Sequence, residues 1–294
     1  MRFPLEAVPN FSEGRDRATL DELAAAMAGR ARLLDVHADV DHNRSVFTLA
    51  GEAGELVEAL VAGVAVARER IDLRRHEGVH PRVGAADVVP IVAAWPEQLE
   101  EARRCALLVA EAIGARVGLP VFLYAEAGGG RGPAFFRRGG PAELQRRIDA
   151  GEVAPEFGPA RLDPAAGAVL VGARRPLVAF NVNLRTPDVE LARSIAAVVR
   201  EAGGGFPGVR ALGFALPSRG LVQVSMNVED PERVALHEVV ARVGQEAAER
   251  GVEVAGSELV GLLPASAVAA AARAGLGLGD LDASRLLELR LLSA

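Results

Sequence analysis

The sequence predicts an α/β (α+β) protein: two similar split β-α-β-β-α-β subdomains with mixed sheets, residues 1–176 and 177–294. Three observations predict it. Short alternating or apolar runs with the character of strands are separated by longer segments with an apolar residue every three or four positions. The order of strands and helices in the first half recurs in the second. Half of the residues are hydrophobic and 24% charged, the balance of a chain that buries a real core.

In the first half the predicted strands are 3–8, 32–36, 45–50, 86–92 and 121–124, and the predicted helices are 16–28, 55–70 and 97–116. Ser12, ahead of Arg15 and Asp16, supplies capping chemistry for the first helix, and Gly118 and Pro120 punctuate the end of the third. The half thus reads β-α-β-β-α-β with a helix and a strand appended. Residues 126–140, rich in Gly and Arg, and 152–167, rich in Pro and Gly, read as long irregular segments. In the second half a strand at 177–184 leads to a helix at 188–202, with Thr186 as cap and Pro187 in the first turn. Strands 209–216 and 221–228 follow, joined by a tight turn through Pro217 and Gly220. A helix at 232–250 after Asp230-Pro231 and a strand at 252–260 complete the unit; the leucine-rich stretch after Asp280 reads as a packing tail. The free faces of the two sheets are a natural place for a cleft.

Composition excludes several functions. A net charge of −6 and scattered arginines leave no electrostatic footprint for nucleic acid. All 33 basic residues are arginine, which rules out a Schiff-base lysine and a P-loop. Cys105 is the single cysteine, so neither an intrachain disulfide nor a four-cysteine metal site can form. The first nine residues lack the pattern of a signal peptide, and apolar runs are interrupted too often for a membrane span. A cytoplasmic protein without a membrane partner is expected.

Four of the five histidines lie between residues 37 and 80. His37 and His42 flank Asp39 and Asp41; His76 and His80 flank Gly78. Two histidines four apart can hold a metal from one helix face, but Gly78 and Pro81 argue against a helix. His80-Pro81-Arg82 reads as an extended segment instead, since the residue before proline avoids the α region. A metal site from His37, Asp39, His76 and His80 is the lesser reading. The better one is acid–base chemistry at His80, with neighbouring Arg82 favouring the neutral imidazole by charge repulsion. Arg44 is suited to a carboxylate fork. Asn10 and Glu13 follow a strand, where Ser12 is explained by capping and the other two are left for ligand contact. Asn181 and Asn183 place two amides on one face of an apolar strand; a polar ligand or a solvent-facing edge would satisfy them.

Together these motifs resemble the formiminotransferase family (glutamate formimidoyltransferase), in its single-function bacterial form and as the transferase half of the bifunctional animal enzyme. The anchors are 8–14 (VPNFSEG), 41–45 (DHNRS), 76–84 (HEGVHPRVG), 87–90 (DVVP), 155–159 (PEFGP), Gly172-Ala173-Arg174 and 180–184 (FNVNL), in family order and spacing. The resemblance implies transfer of a formimino group from N-formimino-L-glutamate to tetrahydrofolate as co-substrate, a step in histidine breakdown, without a metal. It implies a homodimer, and two subdomains whose sheets face a substrate tunnel. The catalytic histidine maps to His80. The folate-binding loop maps to Gly158, Pro159, Ala160, Arg161, Leu162, Asp163, Pro164, Ala165, Ala166 and Gly167. Arg44, Arg82 and Arg174 are candidates for the carboxylates of glutamate and folate, with Asn10, Asn181 and Asn183 as further contacts. Val79 stands where the family usually has Glu. Two rival readings go with these residues: a metal-dependent hydrolase or deaminase, and a diverged folate-binding relative with another one-carbon donor or no turnover.

Overall fold

A computed structural model describes residues 4–276; the predicted tail after Asp280 lies outside the described residues. The chain divides into two compact units, Met1–Arg175 and Pro176–Ala294.

The sheet of the first unit contains β1 (Leu5–Ala7), β2 (Asn10–Phe11), β3 (Arg32–Asp39), β4 (Arg44–Gly51), β5 (Ala86–Val92), β6 (Val121–Ala125) and β7 (Val169–Arg174). β1 and β2 are two pieces of one strand path: both pair antiparallel with β4 on one side and β5 on the other. Pro9, which has no N–H to give the ladder, stands at the break. β3 extends the sheet beyond β4, antiparallel. β7 lies parallel to β5, and β6 parallel to β7, so this sheet is mixed. β7 is absent from the predicted strands. It inserts between β5 and β6, so the appended segment contributes a pair of strands rather than one.

Helices α1 (Arg17–Ala28), α2 (Ala53–Arg70) and α3 (Leu99–Ala112) cover one face of this sheet. In α2 the buried residues Leu56, Leu60, Gly63, Val64 and Ala67 recur at helical spacing. They meet Phe11, Phe47, Leu49 and Ile91 from the strands, all fully buried. Each such large side chain contributes about 1.5–3 kcal/mol by burial. Cys105 lies in this core, its thiol pushed up to about 12 by burial, chiefly, and by Glu101.

The expectation of irregular chain through 126–140 is corrected. Residues 126–130 do form turns, but α4 (Pro133–Arg137) and α5 (Gly140–Asp149) follow. Phe136 of α4 and Leu144 of α5 pack on Phe122, Tyr124 and Leu170, covering part of the sheet's second face. The cap of α1 is also different. Asp16 accepts from the N–H groups of Ala18 and Thr19, whereas Ser12 Oγ donates to the carbonyl of Gly84 at 2.7 Å. The carboxylate sits at the helix entrance; Ser12 is still within the strand path.

In the second unit β8 (Val178–Leu184), β9 (Val209–Leu216), β10 (Leu221–Val228) and β11 (Val254–Val260) form a sheet in the order β11-β8-β10-β9, antiparallel at each pairing. Helices α6 (Val189–Val199) and α7 (Leu236–Glu249) pack through Ile195, Val199, Val239 and Val243 against Val182, Leu184, Val222 and Val224 on one face; α8 (Ala265–Leu276) adds Ala267. Asp188, not Thr186, caps α6, accepting from the N–H groups of Glu190 and Leu191. The turn after Asp230 delays α7 to Leu236.

Candidate active site

The site of the first unit begins at the β3–β4 connection. Asn43 has φ +45°, a left-handed conformation that Asn tolerates better than most residues. Its side chain ties two distant segments: Oδ1 accepts from the N–H of Gly14 at 2.9 Å, and Nδ2 donates to the carbonyl of Glu77 at 2.9 Å. The 41–45 turn therefore carries the 76–84 loop on its back. Asp41, His42, Asn43 and Arg44 are buried, which a solvent turn would not be.

Next along the sheet lies a buried ionic centre. Asp87 is wholly buried; its Oδ2 accepts from Arg44 Nη1 at 2.7 Å and Arg137 Nη2 at 2.5 Å, and its Oδ1 from the N–H of Val83 at 2.8 Å. Arg44 further donates through Nε and Nη2 to Asn10 Oδ1, at 3.1 and 2.9 Å. A bulge explains how Asp87 comes to face this cluster from an otherwise apolar strand. Asn10 pairs with Val88 and Phe11 with Ala86, so β5 has one residue more than β2 at this step, and that residue is Asp87. Burial would raise its pKa, but Arg137, Arg44 and the Val83 amide outweigh it and hold the carboxyl well below the usual carboxylate range.

His80 adjoins this centre. Its Nδ1 lies 2.8 Å from the carbonyl of Pro81, which can only accept; the proton is therefore on Nδ1 and the basic lone pair on Nε2. Burial, then the charges of Arg44 and Arg137, lower the pKa of His80 well below the ordinary 6.5, against the opposing pull of Asp87. The neutral form expected from the sequence is thus favoured, but by burial and then by Arg44 and Arg137 rather than by Arg82. Arg82 has another task. It donates to the carbonyl of His80 (2.7 Å from Nη2), to that of His42 (3.1 Å) and to His76 Nδ1 (2.7 Å), holding the loop in shape. Arg82 Nη1, the donor to His76 Nδ1, also lies 2.5 Å from His76 Nε2, which is 3.1 Å from the carbonyl of Asn43. The pKa of His76 is lowered by burial and by Arg82. A guanidinium against that imidazole opposes a cation there, and no group of three metal-ligating side chains converges among the described residues. Val79 is exposed and meets the site through its backbone, its N–H donating to the carbonyl of Asp41 at 3.3 Å.

The 158–167 segment lacks regular structure but is anchored at both ends. Asp163 Oδ1 accepts from the N–H groups of Ala165 and Ala166, and Asp163 and Gly167 exchange backbone bonds. Gly167 bridges Gly84, which brings the loop's end beside the His80 segment. Gly158, Pro159, Ala160, Arg161 and Pro164 are exposed or half-buried, while Leu162, Ala166 and Gly167 are buried. Arg174, at the end of β7, is half-buried on the same sheet face as Tyr124, Arg44 and Asn10, and helps to lower the raised pKa of the buried Tyr124. Arg174 makes no salt bridge among the described residues, although Glu6 feels its charge.

Asn181 and Asn183 lie in the second unit and are buried. Their partners are supplied by protein: Asn181 Nδ2 donates to Glu258 Oε2 at 3.2 Å, and Asn183 Oδ1 accepts from Gln223 Nε2 at 2.9 Å. Sequence reasoning assigned no role to Asp87, Arg137, Tyr124, Gln223 or Glu258. For Asp87 a signal existed, because a lone carboxylate in a buried strand demands a cation. Nothing around Arg137 marked it.

Two family models match the chain: the formiminotransferase domain, N-terminal subdomain, over residues 4–174, and the formiminotransferase domain over residues 179–276. Among similar proteins, a glutamate formimidoyltransferase of Streptococcus pyogenes is 39% identical, with 95% of each chain covered. One from Thermoplasma acidophilum is 38% identical over 98% of this chain and 97% of its own. The formimidoyltransferase-cyclodeaminase of Sus scrofa is 39% identical over 91% of this chain, which spans 51% of that longer protein. The chain belongs to the formiminotransferase family.

Proposed function

We propose that the protein transfers the formimino group of N-formimino-L-glutamate to tetrahydrofolate, giving 5-formiminotetrahydrofolate and glutamate, with His80 as general acid and base. The observation that carries this reading is the state of His80: neutral, its Nδ1 proton committed to Pro81, beside two buried arginines. Folate N5 attacks the amidine carbon, and Nε2 of His80 takes the N5 proton. The tetrahedral intermediate then collapses as the same proton is delivered to the glutamate nitrogen, whose bond to carbon breaks. Such proton transfer contributes about 10²–10⁴ in rate. Burial, with Arg44 and Arg137, keeps the imidazole neutral and so able to accept a proton, and Arg82 sets the backbone from which it projects.

Folate contacts are assigned to residues 158–167, and carboxylate contacts to Arg174, which has no internal counterion at salt-bridge distance among the described residues. Of the other candidates, Arg44 spends its donors on Asp87 and Asn10, and Arg82 turns to the carbonyls of His42 and His80. Asn10 is a further contact proposed in the first unit, and Asn181 and Asn183 are contacts proposed on the second. A homodimer, a cytoplasmic setting and a place in histidine breakdown belong to the same reading. No helix among the described residues is long and apolar enough to cross a membrane.

The test is an absorbance assay with formiminoglutamate and tetrahydrofolate, comparing wild type with His80→Ala. Turnover by the wild type and its loss in the variant are expected. An active variant sinks the mechanism; an inactive wild type that still binds folate returns the reading to a binding protein.

A further inference from the structure

The 158–167 loop is held by backbone contact at its start and by charge in its middle. The turn Ile113–Val117, which continues α3, is wound as a π-helix. A Cβ at Gly114 of this turn would stand 2.7 Å from the nitrogen of Gly158, and one at Gly158 would stand 2.1 Å from the carbonyl oxygen of Leu119. The loop therefore begins in close contact with that turn. Further along, Arg68 reaches it from the last turn of α2. Its Nη2 and Nε donate to Asp163 Oδ2 at 3.3 and 3.4 Å, while Nη1 donates to the carbonyl of Val117.

Asp163 carries this hold onward. Its Oδ1 accepts from the N–H groups of Ala165 and Ala166 at 2.9 and 3.0 Å. The carbonyls of the same two residues accept from the N–H groups of Leu73 and Ala85, each at 2.8 Å. Leu73 and Ala85 bound the segment that carries His76, His80 and Arg82. The segment thus leaves and returns at one neck, and the folate loop closes that neck. A further bond, from the Ala168 N–H to the carbonyl of Val83 at 3.0 Å, extends the closure on the returning side.

With 43% and 22% of their side-chain surfaces exposed, Arg68 and Asp163 form a pair that adds little to global stability. Its effect is local. The guanidinium fixes one carboxylate oxygen, and the other oxygen orders the two peptide groups on which the neck hangs. We propose that Arg68 is a positioning residue that, through Asp163, locks the folate loop and the His80 segment into one geometry, so that folate seated on the loop meets an aligned base. This inference rests on the folate and His80 reading above and adds the residue that links its two parts.

The experiment compares the full chain as wild type, Arg68→Ala and Arg116→Ala. Arg116 lies on the same π-helical turn but pairs with Glu58 of α2 rather than with the loop. Amide hydrogen exchange, read by mass spectrometry, is expected to quicken about fivefold or more in Arg68→Ala in the peptides carrying Leu73, Ala85, Ala165 and Ala166, and to stay unchanged in α1 and in the second unit. With formiminoglutamate saturating and tetrahydrofolate varied, kcat of Arg68→Ala is expected to fall about tenfold and KM for tetrahydrofolate to rise, because base and loop are both displaced. Arg116→Ala is expected to match the wild type in exchange and in kinetics. Unchanged exchange at the neck overturns the proposal, and so does quickening spread over the whole chain, which is a global loss of stability. A kcat within about twofold of wild type, even with a raised KM, overturns the link to His80. An equal loss in Arg116→Ala overturns it too, by reducing the effect to helix packing. A wild type without turnover refutes the function proposed above, a separate result, and exchange at the neck then still decides whether Arg68 holds the two segments together.

Discussion

Asp87→Asn isolates the buried ionic centre. The substitution preserves volume and one carbonyl oxygen, so the bond from the Val83 amide can survive. On the other side an NH₂ group would face Arg44 Nη1 and Arg137 Nη2, which now stand 2.7 and 2.5 Å from a carboxylate oxygen. Two guanidinium groups with 10% and 15% of their side-chain surface exposed would lose their shared counterion. Breaking a buried pair by removing one partner costs about 3–5 kcal/mol, a large fraction of the ~5–15 kcal/mol that holds a protein folded. Urea unfolding followed by circular dichroism should show that loss with an unchanged slope against denaturant. The carboxyl titrates below its unfolded value of 3.8, so its stabilisation is present above that pH and is lost as pH falls further. The variant should therefore lack this contribution to acid sensitivity. A loss under about 1 kcal/mol at neutral pH, with the slope unchanged, would refute the claim that Asp87 is the counterion of both arginines.

Further outcomes follow from the same geometry. His80 titrates below 6.5 when folded, so the unfolded chain takes up its proton first; the group's stability contribution rises with pH through the window below 6.5. The acid limb of kcat/KM should correspondingly lie below 6.5, and a limb at or above it would contradict the charge environment described. Arg82→Ala removes donors to the carbonyls of His80 and His42; kcat should fall more than KM rises, with about 1–3 kcal/mol of stability lost, as measured by steady-state kinetics and urea unfolding. Unchanged kcat would leave Arg82 without its loop-holding role. Gly84→Ala would place a Cβ 1.9 Å from the carbonyl oxygen of Ala168, which is backbone and cannot turn aside. A loss of at least about 1–3 kcal/mol is expected in thermal unfolding, and an unaltered Tm would show that the 84–168 approach is looser than described.

Much of the fold was legible because it is local. The strands of both β-α-β-β-α-β frames, and α1, α2, α3 and α6, announce themselves by apolar period, and His80 by the glycine and proline that frame it. Short elements were less legible. α4 and α5 follow a glycine-rich run, and their apolar residues Phe136 and Leu144 are explained only by Phe122 and Leu170 on the sheet. Capping oxygens near a helix start, Ser12 and Asp16 or Thr186 and Asp188, compete at similar propensity; backbone geometry chooses among them.

By itself, then, the sequence determined most of the elements and excluded several chemistries, and it singled out His80 as the candidate base. Tertiary structure decided which charges act on it. Arg82 is two residues from His80 yet turns to backbone carbonyls, while Arg44 and Arg137, 36 residues before and 57 after, supply the field. Electrostatic influence depends on distance and burial in space, not on separation along the chain. One extra residue in β5 aims Asp87 at both arginines, and the partners of Asn181 and Asn183 come from β10 and β11. Such pairings arise only when strands are laid side by side, and no period in the sequence encodes them.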